Sequence, residues 1–227
     1  MLTYLWPSRC WPPQKQFDVR YLAECRHKAV QDNGYRAVMT KPCLLIIDLQ
    51  NDFLDQWDQR EVDRLIRNTN LLINQFRRSC FPLIWVRQEF KPDLSDAFLE
   101  MRAKSVALTV EGTRGAEFHP ELDWRETDRT IIKKRYSAFF GTDLDQLLQE
   151  LGADQIVICG INTHACIRTA AIDAYQRDFK VVLSTDCIGS YDSEHARVSL
   201  DYMTGKIAAV ATAAEIAAHL AQSAKAI

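Results

Sequence analysis

Six short apolar runs, each separated from the next by a polar or helix-periodic segment, constrain this chain more than any other feature. They are "CLLII" (43–47), "LIWV" (83–86), "TIIK" (130–133), "IVIC" (156–159), "KVVLS" (180–184) and "IAAV" (207–210). Continuous apolarity, as opposed to alternation, marks strands buried on both faces. Between the first two runs, Val62, Leu65, Ile66, Leu72, Ile73 and Phe76 fall on one helical stripe over 61–79. Further helices are expected over 142–151, stopping near Gly152, over about 164–178, near 193–204, and in the Ala-rich C-terminal stretch. Strands alternating with helices give an α/β fold, a six-stranded parallel sheet with helices on both faces.

A chain of 227 residues fits one such domain with a full core. Residues 41–227 are assigned to it, and 1–40, with the Pro/Trp segment "WPSRCWPP" and a short helix expected over 17–33, to an N-terminal extension. The N-terminus lacks the pattern of a secretory signal, and no apolar run is long enough to span a bilayer. With 28 basic against 30 acidic residues, the charge balance argues against a nucleic-acid or anionic-membrane partner. Seven scattered cysteines form no CxxC pair and no zinc framework, so reduced thiols and a cytoplasmic location are expected. The stretch 88–129 is long and irregular, as functional caps or interface pieces often are.

In an open parallel sheet the ligand site lies beyond the carboxyl ends of the strands. Three of the runs end there on reactive side chains: the first on Asp48, the third on Lys133, and the fourth on "GINTHAC" with Cys166. Each has a plain structural alternative. Asp48 can cap the helix that follows, Lys133 or Lys134 can be solvated, and Cys166 can be a small core residue. A carboxylate, an ammonium and a thiol at equivalent topological positions favour a shared site. A helix start and a lysine stabilise a thiolate, and Asp48 is placed to act as general base.

The motifs "IIDLQNDF" (46–53), "IIKKRYSAFFGTDL" (131–144) and "GINTHACIRTAAIDA" (160–174) resemble those of the isochorismatase-like family of cysteine hydrolases. The match in pattern is to members such as ureidoacrylate amidohydrolase and N-carbamoylsarcosine amidase, and covers about residues 42–212. The resemblance implies a Rossmann-like three-layer sandwich and a catalytic triad of Asp48, Lys133 and Cys166. Lys133 is taken over Lys134 because the family's lysine stands two residues before the Arg of "RYSAF", here Arg135. It also implies a non-proline cis peptide at Ile161–Asn162, oxyanion donors from the backbone N–H groups of Asn162 and Cys166, and a homo-oligomer, dimer or tetramer.

Candidate substrate contacts are Gln50, Phe53, Gln88, Glu89, Arg135, Tyr136, Phe139 and Thr163. Phe53 and Phe139 have core alternatives, Arg135 an ion-pair alternative, and Gln88 and Glu89 solvated ones. Nicotinamidases of the family bind a metal through an Asp and two His between the first two strands, and residues 49–90 contain no histidine. No metal and no cofactor is therefore expected. His119 reads as a loop residue and His164 as a turn or pocket-wall residue. The expected activity is hydrolysis of a C–N bond in a small amide, ureide or carbamoyl compound through a thioester. The alternatives are a silent scaffold of the same fold, a metal-assisted nicotinamidase-like amidase, and a thiol redox protein.

Overall fold

The computed structural model describes residues 41–223, so the N-terminal extension and its expected helix lie outside the described residues. The six apolar runs form β1 (Pro42–Ile47), β2 (Leu83–Gln88), β3 (Arg129–Lys133), β4 (Gln155–Ile161), β5 (Lys180–Gly189) and β6 (Ala209–Ala211). All pair in parallel, in the order β3-β2-β1-β4-β5-β6. The α-helices among the described residues are α1 (Asn51–Leu54), α2 (Gln59–Arg78), α3 (Leu99–Lys104), α4 (Leu144–Glu150), α5 (Arg168–Tyr175), α6 (Ser193–Met203) and α7 (Ala213–Ser223).

Successive strand side chains point to opposite faces, and the central strands β1 and β4 are buried at every position, so the sheet carries two cores. On one face Leu44, Ile46, Trp85, Val157 and Val182 pack against the stripe of α2 and against Ile216 and Leu220 of α7. On the other, Leu45, Ile47, Val86, Ile131, Ile158 and Leu183 pack against Leu144 and Leu148 of α4 and the alanines of α5. This is the expected three-layer sandwich.

Several boundaries differ from the sequence reading, and β5 runs on to Gly189 beyond the expected 180–184. β6 starts at Ala209 instead of Ile207, because the Ile207 and Ala208 N–H groups both bond to the Met203 carbonyl (2.9 and 3.0 Å) and so close off α6. The helix after β4 opens with a π-helical turn, Thr163–Ile167, before α5. The long connection 88–129 contains only α3 and a 3₁₀ turn, Arg114–Ala116. No helix among the described residues is long and apolar enough to cross a membrane.

The strand order reverses direction between β1 and β4, which is where an open α/β sheet leaves a crevice beyond its carboxyl edge. Ile47 of β1 pairs with Gly160 of β4, so the residues leaving both strands emerge side by side.

Candidate active site

Asp48 continues the β1 ladder, its N–H bonding the Val86 carbonyl at 2.9 Å, then turns the chain with a left-handed φ of +56°. Asp is among the few side chains that tolerate this region. Such outliers collect at functional sites, where the surrounding structure holds them. On the neighbouring strand, Gly160 has φ +120°, and a Cβ there would lie 2.0 Å from the Ile47 carbonyl oxygen. Only glycine lets β4 pass this close to β1.

β3 is two strands from β1, roughly 10 Å at ordinary sheet spacing. The long Lys133 side chain covers that gap. Its Nζ lies 2.8 Å from Asp48 Oδ2, and donates to Cys166 Sγ at 3.4 Å and the Arg135 carbonyl at 3.1 Å. Three partners match the three donors of an ammonium. Asp48, Lys133 and Cys166 are all buried, Lys133 completely. Lys134 instead pairs with Asp96 at 3.0 Å and donates to the Glu89 carbonyl. The two adjacent lysines thus divide between the site and the long connection.

Burial pushes the Cys166 thiol up to about 12; the Asp48 charge adds to the rise and Lys133 opposes it. Burial by itself would lower Lys133, but Asp48 and Cys166 outweigh it and hold the lysine above its ordinary value. Both shifts favour the protonated forms, an ammonium on Lys133 and a neutral thiol on Cys166. Desolvation thus outweighs the lysine that the sequence reading set in favour of a thiolate.

The turn after β4 contains the non-proline cis peptide Ile161–Asn162. The Asn162 carbonyl accepts the N–H groups of Ala165 and Ile167 (3.0 and 3.2 Å), skipping that of Cys166 between them.

The other sequence candidates divide by what holds them. Gln88 is buried at the end of β2, paired in register with Lys133, and its Nε2 has no partner among the described residues. Tyr136 is half-exposed; burial first, then the Cys166 and Tyr191 charges, push its phenol up, which places it within electrostatic reach of the thiol. Arg135 donates to the Asp96 backbone carbonyl at 2.9 Å and lies over the Phe98 ring, so the long connection holds it, though not through the ion pair of its alternative reading. Glu89 is buried and pairs with Arg87 at 2.9 Å, so it is not solvated. Thr163 is buried, its hydroxyl donating to the Gly189 carbonyl at 3.0 Å. Phe53 packs on the α2 side of the sheet. Phe139 sits in the opposite core against Phe179, with Arg177 over its ring.

Gln50 is fully committed elsewhere. Its Oε1 accepts the Gln88 N–H, and its Nε2 donates to the Gln88 and Ala116 carbonyls, each at 2.8 Å. It clamps the connection instead of facing a ligand. Asn51 and Asp52 do the same, through Asn51 Nδ2 to the Arg114 carbonyl (2.8 Å) and the Thr109 N–H to Asp52 Oδ2 (2.6 Å). His119 is a loop residue, its N–H bonded to the Leu49 carbonyl at 2.9 Å.

Sequence reasoning missed Asp96, Ser190 and Trp57, whose ring a Cβ at Gly189 would meet at 2.8 Å. No local pattern marks these three, since their roles depend on contacts between distant segments.

The Isochorismatase domain profile matches residues 42–215. The chain belongs to the isochorismatase family. An uncharacterized isochorismatase family protein, YwoC of Bacillus subtilis, is 32% identical over 172 residues, covering 74% of this chain and 87% of the relative. Among solved structures, N-carbamoylsarcosine amidase from Thermoplasma acidophilum superimposes with a TM-score of 0.66 at 27% identity, covering 77% of this chain and 97% of that one. Pyrazinamidase of Pyrococcus horikoshii in complex with zinc gives 0.68 at 27% identity, covering 76% and 99%. In this isochorismatase-family chain, no three His, Cys, Asp or Glu among the described residues are grouped to hold a metal. Asp52 and Asp55, the acids that follow Asp48, are engaged by Thr109 N–H and by Arg114. The donor set that a metal between the first two strands would need does not fit these residues.

Proposed function

We propose that this hydrolase-family chain cleaves a carbon–nitrogen bond of a small amide, ureide or carbamoyl compound through a Cys166 thioester. The reading is carried by one observation: Lys133 Nζ stands 2.8 Å from Asp48 and 3.4 Å from Cys166 in a buried group at the carboxyl edge of the sheet. The likeness to N-carbamoylsarcosine amidase and pyrazinamidase supports the choice of bond.

The neutral thiol gives its proton to Asp48 as Sγ bonds the substrate carbonyl carbon. Lys133 keeps its proton and offsets charge on whichever partner carries it. The Asn162 and Cys166 N–H groups receive the oxyanion. Asp48 passes the proton to the nitrogen as the C–N bond breaks, and an amine or ammonia leaves. Asp48 then takes a proton from water, hydroxide attacks the thioester, and the thiol is restored as the acid departs. Gln88 Nε2 supplies a buried donor for a substrate oxygen, and Tyr136 borders the entrance. A homo-oligomer in the cytoplasm, acting on a small molecule without a cofactor, completes the proposal.

An ammonia-release screen over small amides, ureides and carbamoyl acids tests it, run with Cys166→Ala, Asp48→Asn and a chelator control. The variants are expected to lose activity by more than about a thousandfold, and the chelator to change nothing. Turnover by Cys166→Ala at the wild-type rate would overturn the mechanism. Chelator-sensitive turnover would favour the metal-assisted reading.

A further inference from the structure

The turn carrying Cys166 is tied rung by rung to the loop after β5. Thr163 Oγ1 donates to the Gly189 carbonyl at 3.0 Å, His164 Nδ1 lies 2.6 Å from Ser190 Oγ, and the Tyr191 N–H donates to Asn162 Oδ1 at 3.4 Å. Only the His164–Ser190 rung joins two side chains. Ser190 Oγ also accepts the Asp192 N–H at 3.3 Å, and Asp192 in turn caps α6 by accepting the His195 N–H at 2.9 Å. One imidazole is thus linked through one hydroxyl to the start of a helix.

The turn needs such an outside hold. Asn162 stands at its N-cap and makes no side-chain cap bond, and neither does Ile167 at the cap of α5. Within the turn only backbone bonds hold it, the Asn162 carbonyl accepting the Ala165 and Ile167 N–H groups at 3.0 and 3.2 Å, so its seating on the rest of the fold comes from outside. Around His164, the Tyr191 ring packs edge-on at 5.1 Å and the His195 ring lies 5.9 Å away. Burial lowers the basicity of His164, Asp192 raises it and His195 lowers it, and the net direction is down. A neutral ring whose Nδ1 accepts the Ser190 proton leaves Ser190 Oγ open to the Asp192 N–H, so the Ser190 O–H and the Asp192 N–H each meet an acceptor.

We propose that His164 is a positioning residue: through Ser190 it fixes the 162–166 turn, and with it the aim of the Cys166 thiol and N–H at the substrate carbonyl. This rests on Cys166 being the nucleophile. It assigns the histidine no proton transfer with the substrate.

The test is peptide-resolved iodoacetamide labelling of Cys166 at about pH 9–10, where the raised thiol begins to react, beside kcat and KM on any amide found in the screen. The proteins are wild type, His164→Ala, His164→Asn, Ser190→Ala and the double alanine variant. Asn keeps a polar group near the place of Nδ1. Each single alanine change is expected to slow labelling by about tenfold, and Asn to recover it to within about threefold of wild type. The double variant is expected to be no slower than either single one, since both remove the same bond. On substrate, kcat falls more than KM changes. The proposal is overturned if His164→Ala labels and turns over at the wild-type rate, if the two alanine effects add, or if Asn is no better than Ala. Should wild type turn over no amide at all, the proposed activity fails, while the labelling series still decides the positioning role.

Discussion

At the scale of single residues, the site depends on charges kept away from water. Removing one member of a buried ion pair strands the other, at a typical cost of about 3–5 kcal/mol. Lys133→Met is therefore expected to lower stability by that amount in urea unfolding, and adding Asp48→Asn to the same chain to recover part of it. A single variant as stable as wild type would show that water reaches Asp48. The thiol gives a second prediction. With its pKa raised from 9.0 to about 12, Cys166 keeps its proton at neutral pH. Its alkylation rate should climb about tenfold per pH unit between pH 7 and 10, with no plateau; a plateau near neutrality would mean a thiolate at rest. The same shift bears on stability. A folded pKa above the unfolded one favours the native state below the unfolded value, so this contribution is lost as pH rises from about 9 to about 12. Cys43 and Cys187, also pushed up to about 12 by burial, act in the same direction.

Elements place these residues, and the tightest constraint is the contact between β1 and β4. A Cβ on Gly160 meets Ile47 backbone atoms at 2.0–2.8 Å, and backbone gives way only if the strands part. Gly160→Ala is expected to cost at least about 4 kcal/mol, lowering Tm by roughly 10 °C, and to abolish activity. A variant that melts like wild type would show that the strands can spread. Apolar runs made β1 to β5 readable from the sequence, since a strand buried on both faces has few other compositions. The ends of strands pointed to Asp48, Lys133 and Cys166 through topology alone. Side-chain direction beyond those ends was not readable. Gln50 and Gln88 carry the same amide, yet one binds backbone at three points and the other keeps a buried donor without a partner among the described residues. Phe139 was similarly ambiguous, because an aromatic ring suits a core as well as a pocket wall. The π-helical opening of the helix after β4 leaves no mark on spacing over five residues.

For the molecule as a whole, the notable fact is where the long connection is anchored. The Leu49 carbonyl, Gln50, Asn51, Asp52 and Asp55, all within seven residues of the proposed base, hold it at Thr109, Arg114, Ala116, Glu117 and His119. A second anchorage lies far from the site, where Arg77 pairs with Asp123 and Asp128 and the Trp85 indole N–H donates to Asp128. Asp52→Ala is expected to raise amide hydrogen exchange at 109 and 114–118 while α2 and the central strands stay protected; exchange unchanged there would show that the remaining anchors suffice. The "DLQND" stretch of this chain therefore seats the connection as well as carrying the proposed base. The connection behaves as an exchangeable cassette with a fixed socket. Loops borrowed from relatives should graft onto this scaffold if they carry acceptors for Gln50 and Asn51, a backbone N–H for Asp52, and carboxylates for Lys134 and Arg77.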